Sequence, residues 1–518
     1  MSQDKFMNKN NIYKILRELE WEEAQESGQI ITDLDKQDGF IHLSTASQLA
    51  ATLAFFFKDS DYLQLLQLDF QKRLLSAIPG GAHTYSRGYD QFSSNTPPIL
   101  DKGRGAYVFD NNSSKFLDYG MALRAVTLGY SVDEVNQGAI DQIYKGNNLT
   151  RPSNIELEAA EMLIDLIPSA EMVKFAKNGS NVTTAALKLA RSYTKKQYIC
   201  VPRQHPFFSF DDWFIGTTQL KRGIPASHHQ NTLLFDYGDL SSLKELFVLY
   251  PDQIAAVMLE PATTITPYPP QYVDEVNKYL IYQDLPLTNN NFLKDVEVLC
   301  KKYNSVFILD EMITGFRWHL KGAQYYFDVS PDLTTFGKAM ANGFSLSALV
   351  GRREIMELGS IESQGLERTF LLSSTHGAEM ASLGAFVKTV DFYKNHNVCR
   401  HLWQFGKQLR TMLTSLAKEA GLQNNFKMLG PDICLNYVFY DNDGAASLPL
   451  KTLFQQEMIN HNVLIPWISP SYAHQDTELE ITGSAARAAF EILSKALHSG
   501  VYNYLKGDPV KPVFRKYN

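Results

Sequence analysis

The sequence predicts an α/β protein in which a mostly parallel β-sheet lies between layers of helices. Short apolar runs typical of buried strands alternate with longer runs of helical periodicity, and parallel strands need such helical crossovers. The predicted strands are Met172–Phe175, Tyr198–Val201, Ile254–Leu259, Val306–Leu309 and Ala348–Val350. Helices are predicted between them, at Asn181–Thr194 and Asn291–Tyr303.

Two smaller α+β parts are predicted at the ends of the chain. After about Leu366 the chain is helix-rich through Glu419, and the residues that follow mix helix and strand. The breaker cluster Ile78-Pro79-Gly80-Gly81 indicates a boundary after the N-terminal region. We therefore predict a small N-terminal extension (residues 1–70), a large domain (residues 71–375) and interdomain helices with a small C-terminal domain (residues 376–518).

The N-terminal extension has its own pattern of elements. Strands are predicted at Asn11–Leu16 and Tyr62–Phe70, a helical pattern begins at Trp21–Ala24, and a stronger one covers Ser47–Phe57. This region, especially Asp38–Thr45, resembles a small uncharacterised bacterial domain family whose fold is related to ADP-ribosyltransferases, over only the first half of that family's length. The half expected to carry an acidic catalytic partner is missing, so no activity is predicted there. His42 and Ser44 are interpreted as part of a half-buried strand, and a ligand-binding role for them is the alternative.

Composition excludes several classes of function. The 518 residues carry a formal charge of only −7, without a basic run, which disfavours binding to nucleic acid. The four cysteines lie far apart, which disfavours a metal cluster or a disulfide framework and fits a reducing compartment. The sequence has no secretory signal pattern and no apolar run of membrane-spanning length. We expect a soluble cytoplasmic protein without a metal site, a membrane contact or a nucleic-acid partner.

The first chemical motif follows the apolar run Val306–Leu309. Asp310 and Glu311 come at the carboxyl end of this strand, where open α/β sheets bind ligands. Adjacent strand residues point to opposite faces, so only one of the two carboxylates can face a given site. A buried carboxylate needs a cationic partner, and the protonated pyridine nitrogen of a cofactor is one such partner. The structural alternative is that the carboxylate caps the next helix or pairs with Arg317.

Two further motifs each have a chemical interpretation and a structural alternative. Lys338 lies between a β-prone run and a small Gly-bearing loop, among apolar neighbours, where a lysine amine can have a lowered pKa. A solvated surface lysine is the alternative interpretation. The segment Lys177–Thr184 places Gly, Ser and Asn at a predicted helix start, whose free N–H groups can bind phosphate. An ordinary helix N-cap is the alternative for that segment.

Together these motifs resemble the class III, fold-type-I aminotransferases, and within them the glutamate-1-semialdehyde aminomutase group. The resemblance runs from about Ile78 to about Leu497. It depends most on the pair of segments Asp310–Arg317 and Pro331–Lys338, whose order and separation are specific to this family. The resemblance implies a pyridoxal 5′-phosphate (PLP) enzyme that transfers an amino group, with a small-molecule amino donor, a carbonyl acceptor and a homodimer with shared active sites.

The resemblance also implies roles for individual residues. Lys338 matches the lysine that binds PLP covalently and moves the proton, and Asp310 matches the partner of the pyridine nitrogen. The remaining cofactor-binding positions are Gly179, Ser180 and Asn181 at the phosphate, Phe207 where an aromatic ring stacks on the cofactor, Glu260 near the cofactor, and Thr375, which reaches the phosphate of the neighbouring subunit. For Phe207 a place in the core is an equally weighted alternative.

Substrate recognition is predicted from three residues. Thr84 and Arg87 occupy the loop where the aminomutase group holds the substrate carboxylate, and Arg124 is a second candidate clamp because a guanidinium forks onto a carboxylate. Structural salt bridges are the alternative for both arginines. Two departures bear on the substrate: residues 178–181 read Asn-Gly-Ser-Asn rather than Ser-Gly-Thr-Glu, and Phe208-Ser209 replace the His-Gly that follows the stacking aromatic residue.

These departures favour a transaminase over an aminomutase. We expect an amino group to move between a donor and the carbonyl of a polar metabolite such as a sugar, a sugar acid or a related biosynthetic intermediate. Glutamate-1-semialdehyde 2,1-aminomutase, with intramolecular transfer, is the alternative. A non-catalytic PLP-fold binding protein is a second alternative, disfavoured because Lys338 and Asp310 are retained together.

Overall fold

A computed structural model describes most of the chain. The described residues are 12–27, 30–38, 43–45, 52, 63–68, 70–205, 207–268, 291–362, 365, 367–377 and 379–517. They fall into two compact units. The first comprises residues 1–102, 108–116 and 506–513, and the second comprises residues 103–107, 117–505 and 514–518. The three-part division at residues 70 and 375 stays a prediction.

The strands are numbered in chain order. They are β1 (Ile12–Arg17), β2 (Ser44–Thr45), β3 (Leu63–Leu68), β4 (Leu100–Arg104), β5 (Tyr107–Asp110), β6 (Lys115–Asp118), β7 (Met172–Ala176), β8 (Tyr198–Pro202), β9 (Thr232–Phe235), β10 (Ile254–Leu259), β11 (Val306–Asp310), β12 (Leu333–Phe336), β13 (Ser347–Gly351), β14 (Phe426–Leu429), β15 (Asn436–Phe439) and β16 (Val463–Leu464).

The α-helices are numbered in the same way. They are α1 (Glu18–Ser27), α2 (Asp33–Asp38), α3 (Phe70–Ala77), α4 (Met121–Arg124), α5 (Asp133–Ile143), α6 (Asn154–Leu166), α7 (Gly179–Thr194), α8 (Asp212–Ile215), α9 (Ala226–His229), α10 (Leu240–Leu249), α11 (Phe292–Lys302), α12 (Gly322–Tyr326), α13 (Arg353–Met356), α14 (Met380–Asn395), α15 (Val398–Glu419), α16 (Leu448–Asn460) and α17 (Asp476–Ser499). Lys338–Ala341 forms a 3₁₀ turn.

The predicted sheet is the centre of the second unit. Its seven strands have the order β7-β13-β12-β11-β10-β8-β9, and β13 alone runs antiparallel to its two neighbours in this sheet. The strands β10, β11, β12 and β13 are buried along their whole length. Burial on both faces explains their continuous apolar sequences, because a parallel sheet is covered by helices on each side. The predicted α/β fold class is therefore confirmed.

The C-terminal part of the second unit mixes helix and strand, as expected. Helices α14 and α15 follow the large sheet, β14 and β15 form an antiparallel hairpin, and β16 pairs in parallel with the end of β6 through Val463–Leu117 and Leu464–Asp118. Aromatic residues fill the core of this part, including Phe426, Phe454 and Phe490.

The first unit contains the N-terminal extension. Its strands β2, β1 and β3 form an antiparallel sheet in that order. Lys14 Nζ donates to Asp35 Oδ2 at 2.5 Å, a pair that is buried and joined by the Thr32 hydroxyl. Within the predicted strand Tyr62–Phe70, Leu63–Leu68 forms β3, whereas Phe70 is the first residue of helix α3. His42 and, apart from Thr52, the predicted helix Ser47–Phe57 lie outside the described residues. In the described part of the chain, no helix has the length and apolar character needed to cross a membrane.

A contact between two glycines brings helices α5 and α14 close together. A Cβ added to Gly138 would lie 2.6 Å from the Gly384 carbonyl oxygen, and a Cβ added to Gly384 would overlap the Gly138 carbonyl oxygen. Helix α14 also packs against the 3₁₀ turn that carries Lys338. The close helix contact therefore supports the position of that turn.

We predict that Gly384→Ala lowers the free energy of unfolding by about 1–3 kcal/mol, because the two backbones must separate. Denaturant unfolding of the apoprotein measures this change. Gly483→Ala is the matched control within a helix, since its added methyl meets only the flexible Met412 side chain. Equal stability of the two variants would contradict the prediction.

Candidate active site

Five segments of the second unit end at the same edge of the central sheet. Strands β7, β8, β10, β11 and β12 are mutually parallel, so their carboxyl ends lie together. The polar residues at or just after these ends are Asn178, His205, Glu260, Asp310 and Lys338. This is the edge at which open α/β sheets bind ligands.

Asp310 is the last residue of β11 and is buried. Its Oδ1 accepts hydrogen bonds from the Met312 N–H and the Thr335 hydroxyl, both at 3.0 Å. Thr335 is the register partner of Asp310 on β12, three residues before Lys338. Burial raises the pKa of Asp310 to about 6, while the nearby Lys338 charge acts in the opposite direction. Oδ2 makes no hydrogen bond to a described residue, so this oxygen is free to pair with a cationic ligand.

Glu311 points to the opposite face, as strand alternation predicts, and has a structural role. Its carboxylate accepts hydrogen bonds from the N–H groups of Ala323 (2.5 Å) and Gln324 (3.0 Å) at the start of α12, and from the Gln324 side chain (3.1 Å). Burial raises the pKa of Glu311 to about 7. Glu311 therefore caps helix α12. Capping of the next helix was the structural alternative given for the two adjacent carboxylates.

Arg317 does not pair with either carboxylate. Its Nη1 donates to the Pro470 carbonyl at 3.1 Å and its Nη2 to the Arg124 carbonyl at 3.0 Å. The side chain is fully buried, and burial lowers the pKa of its guanidinium. Arg317 therefore joins two loops through their backbone carbonyls.

Lys338 follows β12 with a left-handed backbone (φ 44°). Its amine makes no hydrogen bond or ion pair with a described residue, although it lies within the electrostatic influence of Glu260, Asp310 and Arg124. Burial lowers the pKa of Lys338, and the two carboxylates oppose that shift. Such an amine can be neutral at lower pH than an ordinary lysine, so it can act as a nucleophile or a base.

The turn that carries Lys338 is fixed by Asn342. The side-chain Oδ1 of Asn342 accepts from the N–H groups of Thr127 and Leu128, each at 3.0 Å, and its Nδ2 donates to the Gly129 carbonyl at 3.0 Å. These contacts connect the turn to the segment that follows Arg124.

Glu260 follows β10 and is buried. Its Oε2 has no hydrogen-bond partner among the described residues. Burial, followed by the charge of Asp310, raises the pKa of Glu260 to about 8. The Glu260 N–H donates to Nδ1 of His205 at 3.1 Å, and the buried Nε2 of His205 also has no described partner. His205 was not predicted from the sequence, because a lone histidine in a polar segment gives no signal of a buried contact.

Helix α7 begins at Gly179, earlier than predicted. The N-cap Asn178 accepts from the Asn181 N–H at 3.1 Å, so the N–H groups of Gly179 and Ser180 lie at the open helix end. The Ser180 hydroxyl accepts from the Phe210 N–H at 3.0 Å. A Cβ on Gly179 would lie 3.1 Å from Met312 Sδ, which leaves little room for a larger residue.

The aromatic segment docks on helix α7. The Thr183 hydroxyl donates to the Phe208 carbonyl at 3.1 Å, and Trp213 Nε1 donates to the Thr184 hydroxyl at 2.8 Å. Phe208 is buried in the core, whereas Phe207 is 46% exposed and contacts Phe214 edge-on. Phe207 therefore has a face available for a ligand.

The remaining predicted residues are divided between the two units. Thr375 is exposed, and its carbonyl accepts from the Asn148 side chain at 3.0 Å. Arg124 ends the turn α4 in the second unit. Thr84 and Arg87 belong to the first unit, where the Arg87 N–H donates to the Thr84 carbonyl at 2.9 Å.

The chain matches a known family over most of its length. Residues 88–279 and 286–434 match the family described as Aminotransferase class-III. The chain belongs to this family. Residues 15–78 match a second family, described as Protein of unknown function (DUF952), which confirms the resemblance of the N-terminal extension to an uncharacterised domain.

Individual class-III relatives are similar along most of the chain. A 3-aminobutyryl-CoA aminotransferase of Cloacimonas acidaminovorans (strain Evry) is 29% identical over 81% of this chain and 95% of its own. A glutamate-1-semialdehyde 2,1-aminomutase of Wigglesworthia glossinidia brevipalpis is 31% identical over 62% of this chain and 72% of its own. Among solved structures, the PLP internal aldimine form of the Sphingopyxis sp. MTA144 FumI protein has a TM-score of 0.72 at 23% identity, covering 83% of this chain and 97% of that one.

The protein is therefore a PLP-dependent class-III enzyme that transfers an amino group, which removes the non-catalytic alternative. The site fits the cofactor. The unpaired Lys338 amine, the free Oδ2 of Asp310 and the orphaned Oε2 of Glu260 are polar atoms that a charged ring compound can satisfy. The tight space at Gly179 suits a phosphate that approaches the backbone.

The adjacent carboxylates allow a matched pair of variants. We predict that Asp310→Asn weakens retention of PLP but leaves the stability of the apoprotein near that of the unsubstituted protein. Glu311→Gln should retain PLP but lower the free energy of unfolding by about 1–3 kcal/mol. A glutamine amide cannot accept hydrogen bonds from all of the N–H groups that now donate to the Glu311 carboxylate. Absorbance of bound PLP and denaturant unfolding measure the two effects. Loss of PLP in both variants alike would contradict the division of roles.

Proposed function

We propose that the protein is a transaminase that moves an amino group between a donor and the carbonyl of a polar metabolite, such as a sugar, a sugar acid or a related biosynthetic intermediate. The observation that carries the proposal is the register of β11 and β12. It joins Asp310 to Thr335, three residues before Lys338, and so brings the acid and the amine to one edge of the sheet. A cytoplasmic location and a biosynthetic role stay predictions from the sequence.

The proposed cofactor contacts use the residues predicted from the sequence. The N–H groups of Gly179 and Ser180, with Asn181 beside them, would hold the phosphate at the start of α7. The exposed face of Phe207 would stack on the ring, for which an aromatic face is sufficient. Oδ2 of Asp310 would accept a hydrogen bond from the protonated ring nitrogen, while the Met312 N–H and the Thr335 hydroxyl hold Oδ1 in place.

PLP, when bound, supplies an aldehyde carbon and an electron-poor ring that stabilises negative charge at the substrate carbon. Lys338 would hold PLP through its amine, and its Nζ would move a proton at the substrate carbon. The lowered pKa of Lys338 supports this role, because only a neutral amine accepts a proton. Burial and then the Asp310 charge raise the pKa of Glu260 to about 8, while the Lys338 charge opposes that shift.

Intermolecular transfer is preferred over intramolecular transfer because two segments depart from the pattern of the aminomutase group. The departures at residues 178–181 and 208–209 alter the phosphate loop and the aromatic segment that adjoin each other on α7. The aminomutase stays the alternative.

We predict that the purified holoenzyme absorbs in the visible, that an amino donor bleaches this band and that a carbonyl acceptor restores it. Lys338→Ala should lose the band entirely, whereas the control Lys321→Ala, at an exposed lysine, should keep it. Conversion of glutamate 1-semialdehyde without any acceptor would favour the aminomutase. A holoenzyme whose band responds to no amine would contradict the proposal.

We also propose a homodimer with shared active sites. Apolar side chains lie exposed on α5 and the loop after it, namely Ile140, Ile143, Tyr144 and Leu149. They form a stripe because Ile140, Ile143 and Tyr144 are spaced for one helix face. Asn148, next to Leu149, holds the Thr375 carbonyl. A second copy that covers this stripe would therefore lie beside Thr375, the residue expected to reach the partner's phosphate.

We predict that Tyr144→Asp shifts the protein from dimer towards monomer and weakens PLP retention, because a charge would be buried in the interface. Sedimentation velocity measures the change. Tyr502→Asp is a matched control, since Tyr502 is 69% exposed and Tyr144 is 88% exposed. A monomeric unsubstituted protein, or a Tyr144→Asp variant as dimeric as the control, would contradict the proposal.

A further inference from the structure

The neighbouring strands β8 and β10 separate at the edge of the sheet that carries Lys338. β8 ends at Pro202. The chain that follows stays with β9, because the Arg203 N–H donates to the Phe235 carbonyl at 3.0 Å. The N–H of Glu260, the residue directly after β10, is therefore left to a side chain instead of a strand.

His205 supplies the acceptor for this N–H. Its Nδ1 accepts from the Glu260 N–H at 3.1 Å, and both residues are buried. A ring nitrogen that accepts a hydrogen bond carries no proton, so the proton of the neutral imidazole lies on Nε2. Burial lowers the pKa of His205 to about 3, so the imidazole stays neutral and Nδ1 stays an acceptor at neutral pH.

Aromatic rings hold the imidazole in place. The ring centroid of His205 lies 5.0 Å from that of Tyr237 and 5.5 Å from that of Phe208. The Tyr237 hydroxyl in turn donates to the Pro261 carbonyl at 2.7 Å. The backbone at Glu260 and Pro261 is therefore held by two side chains whose rings pack against each other.

The position of the Glu260 carboxylate depends on this backbone. Its Oε2 is buried and has no hydrogen-bond partner among the described residues, so no described donor orients that atom. The carboxylate interacts electrostatically with Asp310 and Lys338. Burial lowers the pKa of Lys338, and the negative charge of Glu260 is the largest effect that opposes this shift. A displacement of the Glu260 backbone would therefore change how readily the Lys338 amine loses its proton.

We propose that His205 is a positioning residue for amino-group transfer, which holds the Glu260 peptide through Nδ1 and thereby keeps the Glu260 carboxylate beside Lys338. The inference rests on the part of the proposed function that makes Lys338 the amine that binds PLP. It does not depend on which donor or acceptor the enzyme uses. His205 acts only through Glu260, so it is not itself a catalytic residue.

The test measures the Lys338 amine directly and needs no turnover. PLP is added to the full-length apoprotein at a series of pH values, and the rate at which the visible band forms is recorded. Only a neutral amine attacks the aldehyde, with release of water, so the pH midpoint of this rate reports the proton affinity of Lys338. Glu260→Gln should lower the midpoint by about one pH unit, which is about a tenfold change in the fraction of neutral amine below it.

Two variants of His205 have the same shape and differ in the acceptor. His205→Leu has no acceptor for the Glu260 N–H and should lower the midpoint in the same direction as Glu260→Gln. His205→Asn should keep the midpoint near that of the unsubstituted protein, because its Oδ1 can accept the N–H in place of Nδ1. His205→Phe keeps an aromatic ring without an acceptor and replaces the leucine variant if that variant does not fold.

A second buried histidine provides the control for stability. His474 has a pKa lowered to about 3 by burial, and its Nδ1 accepts from the Ser471 N–H at 3.0 Å. His474→Leu should destabilise the apoprotein towards denaturant much as His205→Leu does, but it should not move the midpoint. A midpoint that falls equally in both leucine variants would show a general effect of destabilisation and would overturn the inference.

The double variant tests whether His205 acts through Glu260. Once Glu260→Gln has removed the carboxylate, His205→Leu should cause no further shift, because the two effects share one carboxylate. Additive shifts would overturn the inference, as would an unchanged midpoint in either single variant.

Failure of the inference and failure of the proposed function give different results. If the inference alone fails, amines still bleach the visible band, but the midpoint does not depend on His205. If the band forms and no amine bleaches it, the transaminase proposal is wrong, and the midpoints still decide the inference. If the unsubstituted apoprotein forms no band with PLP, both are wrong.

Discussion

The site depends on one electrostatic constraint, which is that the Lys338 amine lies among charged groups without pairing with any of them. Burying an ion costs on the order of several kcal/mol unless groups of opposite charge compensate for the lost hydration. Asp310 and Glu260 compensate through the field rather than through contact, and each has a raised pKa as a result of burial. The parallel sheet makes this possible, because it brings the carboxyl ends of β10, β11 and β12 to one edge.

A second constraint is backbone strain. Lys338 and Asn342 have left-handed φ angles of 44° and 43°, and the four residues of the turn α4 (Met121–Arg124) have left-handed φ angles of 42° to 68°. Each non-glycine residue in this region costs about 1–2 kcal/mol relative to a right-handed one. The hydrogen bonds of Asn342 connect the two strained segments, so the same contacts help to offset the backbone strain of both. The fold thereby holds the backbone of the Lys338 turn and the backbone that follows Arg124 in fixed positions relative to each other.

The features that could be predicted from the sequence are those that depend on periodicity and on neighbouring residues. Strand alternation predicts that Asp310 and Glu311 face opposite sides of the sheet, and capping chemistry predicts a helix start at the Gly-Ser-Asn segment. The sequence did not predict the left-handed turn at Arg124, because Met, Ala, Leu and Arg favour right-handed helix and only tertiary contacts reverse that preference. It also missed the contact of His205 with the Glu260 backbone, since that contact forms between two strand ends far apart in the chain.

The central claim is that Lys338 alone binds the cofactor covalently. The parallel strands place its amine, without an ion-pair partner, at the carboxyl edge of the central sheet. Borohydride reduction of the holoenzyme, followed by peptide mapping, tests this claim most directly. The account predicts a single pyridoxyl group, on the peptide that contains Lys338. A pyridoxyl group on any other lysine, or none after reduction, would contradict it.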